Sequence, residues 1–231
     1  MAFMALTSYA PRSFMASLEE SDRAALLKLG HRREWQRGEV LVRAGESADS
    51  AIMLTAGLLK IHKTTADGAE VMLALLGPGD LLGEGLAVGD ALRSASASAL
   101  SSAHGLVIAV PDLSAFMSAH PSATLGLLAL TLRRLHTADE RRLEFASADA
   151  LARVASRLVE LAERFGERRS NGVIEVTLPI NQEELASWSA SSRESTARAL
   201  RTLRELRLIE THRLRLTVLH LDRLRSHTAR L

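Results

Sequence analysis

Residues 182–204 read QEELASWSASSRESTARALRTLR, and the organisation of the chain follows from them. A short apolar segment, a run of small residues and a segment with four arginines outline two helices round a tight turn, the second helix opening on Ser192. Asn181 is placed to cap the first helix, and Glu184 three residues on completes a capping box. Projected at about 100° per residue, the second helix collects Thr196, Leu200, Leu203 and Leu206 on one side and Arg193, Glu194, Arg198 and Arg201 on the other. One face is built to be buried and the other to meet something anionic. This is the outline of a helix-turn-helix, whose second helix lies in the DNA major groove. A guanidinium fork matches guanine O6 and N7, and a carboxylate accepts from the cytosine amine. Arg193, Glu194 and Arg198 therefore suit a G·C-containing half-site, and Arg201 suits phosphate. Two positions strain the pattern. Ser189 stands where an inward-packing residue is usual, and Ala190 where glycine is; at positive φ an alanine costs about 1 kcal/mol.

Outward from this stretch, LIETHRLRLTVL (208–219) reads as two strands round a turn at 211–213, which makes a winged helix with Arg213 and Arg215 set to touch backbone phosphate. Upstream, VIEVTLPI (173–180) reads as a strand, ERRSNG (167–172) as a polar loop and DALARVASRLVELAERFG (149–166) as a helix whose start, near Asp149, is the expected hinge. From Pro121 the chain is strongly helical. Leu125, Leu128, Leu132 and Leu135 follow a 3-4-3 spacing, a seam suited to the same helix of a second copy, as the two-fold habit of helix-turn-helix proteins favours. Before Pro111, short strand-like runs recur between Gly38, Gly45, Gly57, Gly68, Gly79 and Gly89, which predicts a small sandwich or barrel with a core of Leu, Val, Ile and Ala. FMASLEESDRAALLKLG (14–30) reads as one amphipathic helix stopped by Gly30.

The charge is unevenly placed. Residues 151–231 hold 15 Arg or Lys against 10 Asp or Glu, a net of +5, while residues 1–150 come to −3. No lysine follows Lys63, so the positive field of the C-terminal third is entirely arginine, the side chain of forked contacts. With no cysteine, disulfides and thiolate-bound metals or clusters are excluded. No run reaches the roughly 18–20 apolar residues of a membrane span, and MAFMALTSYAPRS lacks a basic leader ahead of an apolar core. A cytoplasmic protein without a membrane partner is expected. No nucleophile elbow, phosphate loop or zinc-protease pattern occurs, so no enzyme is expected. The eight histidines are scattered, and a structural role for them, His62 included, is favoured over haem or metal ligation.

One further constellation carries chemistry: Gly83-Glu84-Gly85-Leu86, then Arg93-Ser94-Ala95. Small residues let backbone N–H groups approach an anion, Arg93 supplies a forked charge, and Glu84 can accept from a sugar hydroxyl. Phosphate plus ribose is the ligand this set fits.

Taken together these residues resemble the cyclic AMP receptor protein and fumarate-nitrate regulator (CRP/FNR) family over about residues 14–220. The likeness rests on the cassette Gly83-Glu84, eight residues, Arg93-Ser94-Ala95, and on Ser192-Arg193-Glu194 with Arg198. It implies an α+β chain with a cyclic-nucleotide-binding β-roll (1–120), a dimerisation helix (121–148) and a winged helix-turn-helix domain (149–231). It places Arg93 and Ser94 on a cyclic phosphate and Glu84 on the ribose 2′-OH. The DNA-facing set is then Gln182, Ser192, Arg193, Glu194, Arg198, Arg201 and Arg213, on a TGTGA-like half-site of double-stranded DNA. RNA polymerase is an expected partner if the protein activates, with loop 167–172 the first place to look. Where the family's cyclic AMP receptors contact adenine with Thr and Ser or Asn, this chain carries Ala138 and Asp139. Alanine makes no hydrogen bond, and an ionised Asp139 accepts one hydrogen from adenine's amine or two from guanine N1 and N2. The resemblance favours cyclic AMP, while cyclic GMP and cyclic di-GMP stay open. A nucleotide-binding module acting on a protein partner is the alternative.

Overall fold

Alternation along β3 (Ser50–Ala56) sets the N-terminal architecture: Ile52 and Leu54 point into one apolar cluster, Ala51 and Met53 into another on the opposite face. A strand buried on both sides belongs in the middle of layers. In the computed structural model, which describes residues 9–89, 92–177 and 180–228, β3 lies between β8 (Ala103–Ala109) and β6 (Leu81–Leu82), with β1 (His31–Trp35) beyond β8. The second sheet runs β2 (Val40–Val42), β7 (Ser96–Ala99), β4 (Leu59–Thr64), β5 (Glu70–Leu76). The chain divides into two compact units, Met1–Lys63 with Leu73–Arg134, and Thr64–Met72 with Leu135–Leu231. The leader reading of residues 1–8 and the strand reading of 178–179 lie outside the described residues.

Between the two sheets the aliphatic core expected from composition is centred on an aromatic, Trp35, fully buried among Val42, Ile52, Leu54, Leu59 and Leu76. The outer cluster is helical. Residues 14–30 form two short helices rather than one, α1 (Phe14–Ser17) and α2 (Glu20–Leu26), because Leu18 turns to an extended conformation and the Ser17 hydroxyl donates to Phe14 O at 2.6 Å. Nor does Gly30 stop a helix, which has already ended at Leu26: it has φ +70°, and a Cβ there would lie 2.1 Å from Val107 O. The glycine is required by close passage over β8.

Pro111 ends the strands by starting a helix that the sequence reading missed, α3 (Val110–Ala119), where it takes a first-turn position needing no N–H donor. Next comes α4 (Pro121–Ser147). Its N-terminus is pinned by Asp22, whose carboxylate accepts from the Ser122 hydroxyl at 2.6 Å and pairs with His120 Nδ1 at 2.8 Å. Ala123, Leu127 and Leu130 are buried on one side of α4, whereas Leu125, Leu128, Leu132 and Leu135 remain 47–66% exposed on the other. The first half of α4 belongs to one unit and the rest, from Leu135, to the other.

In the second unit, α5 (Ala150–Phe165) opens on Asp149, whose side chain accepts from Ala152 N at 2.8 Å. The segment read as a loop at 167–172 is partly a hairpin: β9 (Glu167–Arg168) pairs with β10 (Ile174–Thr177), turning at Gly172 with φ +81°. After α6 (Gln182–Trp188) and α7 (Arg193–Glu205) come β11 (Ile209–His212) and β12 (Arg215–Val218), in the sheet order β11-β12-β10-β9. Register pairs His212 with Arg215, so the wing turns at Arg213–Leu214 rather than 211–213, with Leu214 at φ +58°. A short α8 (Leu221–Arg225), also missed, buries Leu224. No single helix among the described residues is long and apolar enough to cross a membrane.

Candidate functional site

The cassette begins where β6 ends. Gly83, at φ +88°, leads into a 3-10 turn, Glu84–Val88, closed by Gly89 at φ +100°. A Cβ on Gly83 would sit 2.6 Å from Arg93 Nη1; the glycine is what lets the guanidinium lie against this turn. Arg93 Nη2 donates to Ser50 O at 2.6 Å, while Nη1 is buried with no hydrogen-bond partner. Backbone bonds fix the base of the side chain, Arg93 N to Glu46 O at 2.9 Å and Gly45 N to Arg93 O at 2.8 Å. Burial lowers the Arg93 pKa, the charges of Asp49 and then Glu46 opposing it. A half-buried guanidinium whose buried Nη1 goes unmatched is costly, and an anion oxygen at Nη1 would remove that cost. The donor set therefore fits a phosphate.

Glu84 is already engaged, by a residue the sequence reading passed over. Arg134 of α4 forms an ion pair with Glu84 through Nη1, and its Nη2 donates to Leu81 O at 3.0 Å. The available signal was its position, one helical turn before Ala138. Ser94 is exposed and Ala95 half-buried; residues 90–91 of the cassette lie outside the described residues. Ala138 and Asp139 are exposed on α4, and Asp139 pairs with Arg142 at 3.0 Å. They belong to the second unit and Arg134 to the first.

The helix-turn-helix is built as its capping residues dictate. Asn181 Oδ1 accepts from Glu184 N at 2.8 Å, and Asn181 N donates to Glu184 Oε2 at 2.9 Å. Ser189 does pack inward, with its hydroxyl donating to Leu185 O at 2.7 Å, so its polarity is satisfied. Ala190 takes φ +46°. Ser192 Oγ accepts from Ser195 N at 3.1 Å. A second unforeseen residue, Arg153 of α5, straps this turn: it donates to Ser189 O at 2.9 Å, to Ala190 O and Ser191 Oγ at 3.2 Å, and to Ala148 O. Replacing Ala190 by glycine removes about 1–2 kcal/mol of left-handed strain and restores about 0.4–1 kcal/mol of unfolded-state entropy. Ala190→Gly is thus expected to stabilise the protein by about 0.5 kcal/mol, read as a higher urea midpoint at unchanged m-value.

Thr196, Ala199, Leu200 and Leu203 form the buried face of α7. Leu206, assigned to that face by projection, is 40% exposed, because the helix ends at Glu205 and Leu208 and Ile209 continue the core. Gln182, Ser192, Arg193, Glu194, Arg198, Arg201, Arg213 and Arg215 are exposed. Arg193 pairs with Glu183, and Arg198 with Glu194 and Ser195 Oγ, both at 2.9 Å. The fourth arginine has a structural use, Arg204 donating to Thr211 Oγ1 at 2.8 Å to brace the wing.

Residues 32–120 match the cyclic nucleotide-binding domain family, and residues 152–227 the Crp-like helix-turn-helix domain family. The chain belongs to the CRP/FNR family of transcriptional regulators. It is 30% identical over 183 residues to the CRP-like cAMP-activated global transcriptional regulator of Mycobacterium tuberculosis, covering 79% of this chain and 81% of that protein. It is 32% identical to the cyclic AMP receptor protein of Thermus thermophilus, over 81% and 82% of the two chains. Among solved structures, a CRP-family transcriptional regulator from Thermus thermophilus aligns over 84% of this chain and 95% of its own, with 26% identity and a TM-score of 0.68. These CRP/FNR relatives are transcriptional regulators, not enzymes. His62, in this CRP/FNR chain, is a buried β-roll residue bonded through Nε2 to Ser98 Oγ at 2.8 Å, and the described residues contain no cluster of three or more His, Asp or Glu able to hold a metal.

Proposed function

We propose that this CRP/FNR regulator acts in the cytoplasm as a homodimer that binds a two-fold DNA site with TGTGA-like half-sites when a cyclic nucleotide is bound. The observation that carries the effector is Arg93, a half-buried guanidinium with one N–H unmatched and a glycine cleared beside it. Arg93 and Ser94 hold the cyclic phosphate. Glu84 takes the ribose 2′-OH, with Arg134 orienting the carboxylate. Ala138 and Asp139 face the base, as the resemblance implies. The relatives in Mycobacterium and Thermus are named for cyclic AMP, which makes it the first effector to try. An acceptor-only Asp139 makes cyclic GMP and cyclic di-GMP the next.

The exposed leucines 125, 128, 132 and 135 support the dimer, since a stripe of this length on one helix face is covered by the same stripe of a second copy. Two reading helices then face successive major grooves, and nucleotide shifts the balance between arrangements by its differential affinity for them. Where the regulator activates, RNA polymerase is the partner, met through the β9–β10 turn.

The test is anisotropy of a labelled TGTGA palindrome titrated with protein in the presence of cyclic AMP, cyclic GMP or cyclic di-GMP. At least one should raise duplex affinity about tenfold, which corresponds to about 1.4 kcal/mol of coupling. In the same assay Leu128→Glu with Leu132→Glu should sediment as a monomer and lose two-site binding. Duplex affinity indifferent to all three nucleotides would refute the effector reading, and a two-fold complex formed by the leucine variant would refute the seam.

A further inference from the structure

The sequence places the hinge near Asp149, at the break between α4 and α5, yet both sides of that break are tied down. Asp149 caps α5, and Arg153 donates to Ala148 O on one side and to Ser189 O and Ala190 O in the reading turn on the other. Beside it lies a buried ionic cluster that the functional reading leaves unused. Arg141 and Glu144 of α4 face Arg157 and Glu160 of α5, each helix contributing an arginine and a glutamate three residues apart. Arg157 is 5% exposed and Glu144 7%. Arg157 Nη2 donates to Glu144 Oε2 at 2.5 Å, Arg141 Nη2 to Glu160 Oε2 at 2.9 Å, and Arg164 Nη1 lies 3.6 Å from Glu160 Oε1. Both Arg141 and Arg157 stand over the ring of Trp188, 5.8 and 5.6 Å from its centroid, and Trp188 is the buried last residue of α6.

Buried charges that satisfy one another resist separation, because pulling one away leaves its partner uncompensated in a low dielectric. The last two turns of α4 are thereby fixed to α5 and, through Trp188, to the first helix of the helix-turn-helix. Farther up the same helix, Arg134 belongs to the first unit and is held within it by Glu84 and Leu81 O. Between these anchors Glu140 is attracted to the charge of Arg157, and the one hydrogen bond or ion pair made by side chains of residues 135–139, among those described, is the local Asp139–Arg142 pair.

We infer that Arg157 is a positioning residue for DNA reading: it makes the segment from Arg141 to Ser147 travel with the helix-turn-helix. The long helix then flexes upstream, between Arg134 and Glu140. This rests on the nucleotide-controlled reading above, since it locates where that control is transmitted.

The full-length protein with Arg157→Met, Arg157→Lys and Asp149→Ala is compared with the wild type in two measurements. In duplex anisotropy with cyclic AMP and cyclic GMP as probes, Arg157→Met should keep its nucleotide-free affinity but lose the roughly tenfold gain. Arg157→Lys should recover part of it, and Asp149→Ala should retain it. In hydrogen exchange, amides 141–147 should open about tenfold faster in Arg157→Met, while 123–130 stay unchanged. Glu144→Gln, nearly isosteric, repeats both measurements if Arg157→Met does not fold. Unchanged exchange at 141–147 in a folded variant, or a full nucleotide gain in Arg157→Met, overturns the inference. A wild type with no nucleotide gain defeats the functional reading instead, and exchange alone then decides the role of Arg157.

Discussion

Arg193→Glu combined with Arg198→Glu is expected to abolish sequence-specific duplex binding, with a loss of about a thousandfold, while nucleotide affinity stays at the wild-type value. Each bidentate arginine–guanine contact is worth about 1–3 kcal/mol of discrimination; removing two forks takes away about 2–6 kcal/mol, and two carboxylates set against phosphate add repulsion. The fold should not suffer, because both arginines are well exposed and their present partners, Glu183 and Glu194, form surface pairs of the kind worth about 0–1 kcal/mol. Release of those surface pairs is a small part of the cost of binding. Anisotropy across a salt series separates the two contributions: specific affinity should vanish, and the residual slope against salt should fall by about one for each phosphate no longer neutralised. A variant that still prefers the TGTGA duplex over a scrambled one would show that α7 is not the reading element.

The parts of this molecule that were legible from sequence are those in which few residues, close together, carry the physics. The capping box at Asn181 and Glu184, the N-cap at Ser192 and the two faces of α7 are all settled within one or two turns. Even the awkward positive φ at Ala190 follows from its place in the turn. The nearness of Gly83 and Arg93, ten positions apart, was legible for a similar reason, since a small residue leaves room where the guanidinium lies. What stayed hidden depends on distant partners. Arg134 meets Glu84 across 50 residues, Arg153 reaches a turn 36 residues on, and Arg157 makes sense only beside Glu144 and Trp188. Each reads in sequence as one more solvated helix arginine. Local capping and hydrogen bonding likewise broke the segment at 14–30 at Leu18, where apolar periodicity alone runs straight through. Trp35 was overlooked as a core residue because it sits at the end of a strand whose other four residues are exposed.

Arg93→Met should act in opposite directions on binding and on stability. Deleting the buried partner of a ligand phosphate typically costs about 2–5 kcal/mol or more, so affinity for cyclic AMP or cyclic GMP should fall by about 30-fold to several thousandfold. Without nucleotide the same guanidinium does little for the fold. It makes one side-chain bond, to Ser50 O, and leaves Nη1 unmatched in a buried position, and a methionine stem fills much of the same space without a charge to desolvate. Thermal unfolding of the nucleotide-free variant should therefore occur at or slightly above the wild-type temperature, while calorimetric titration shows the loss of nucleotide affinity. Such a pairing marks a residue retained for its ligand rather than for the fold. Arg93→Lys sharpens the point: it keeps the charge but loses the planar fork, so it should recover only part of the affinity if both nitrogens are used, one on Ser50 and one on phosphate. If Arg93→Met instead melts several degrees early and still binds nucleotide, Arg93 is a strut between β3 and the cassette, and the anion is held elsewhere.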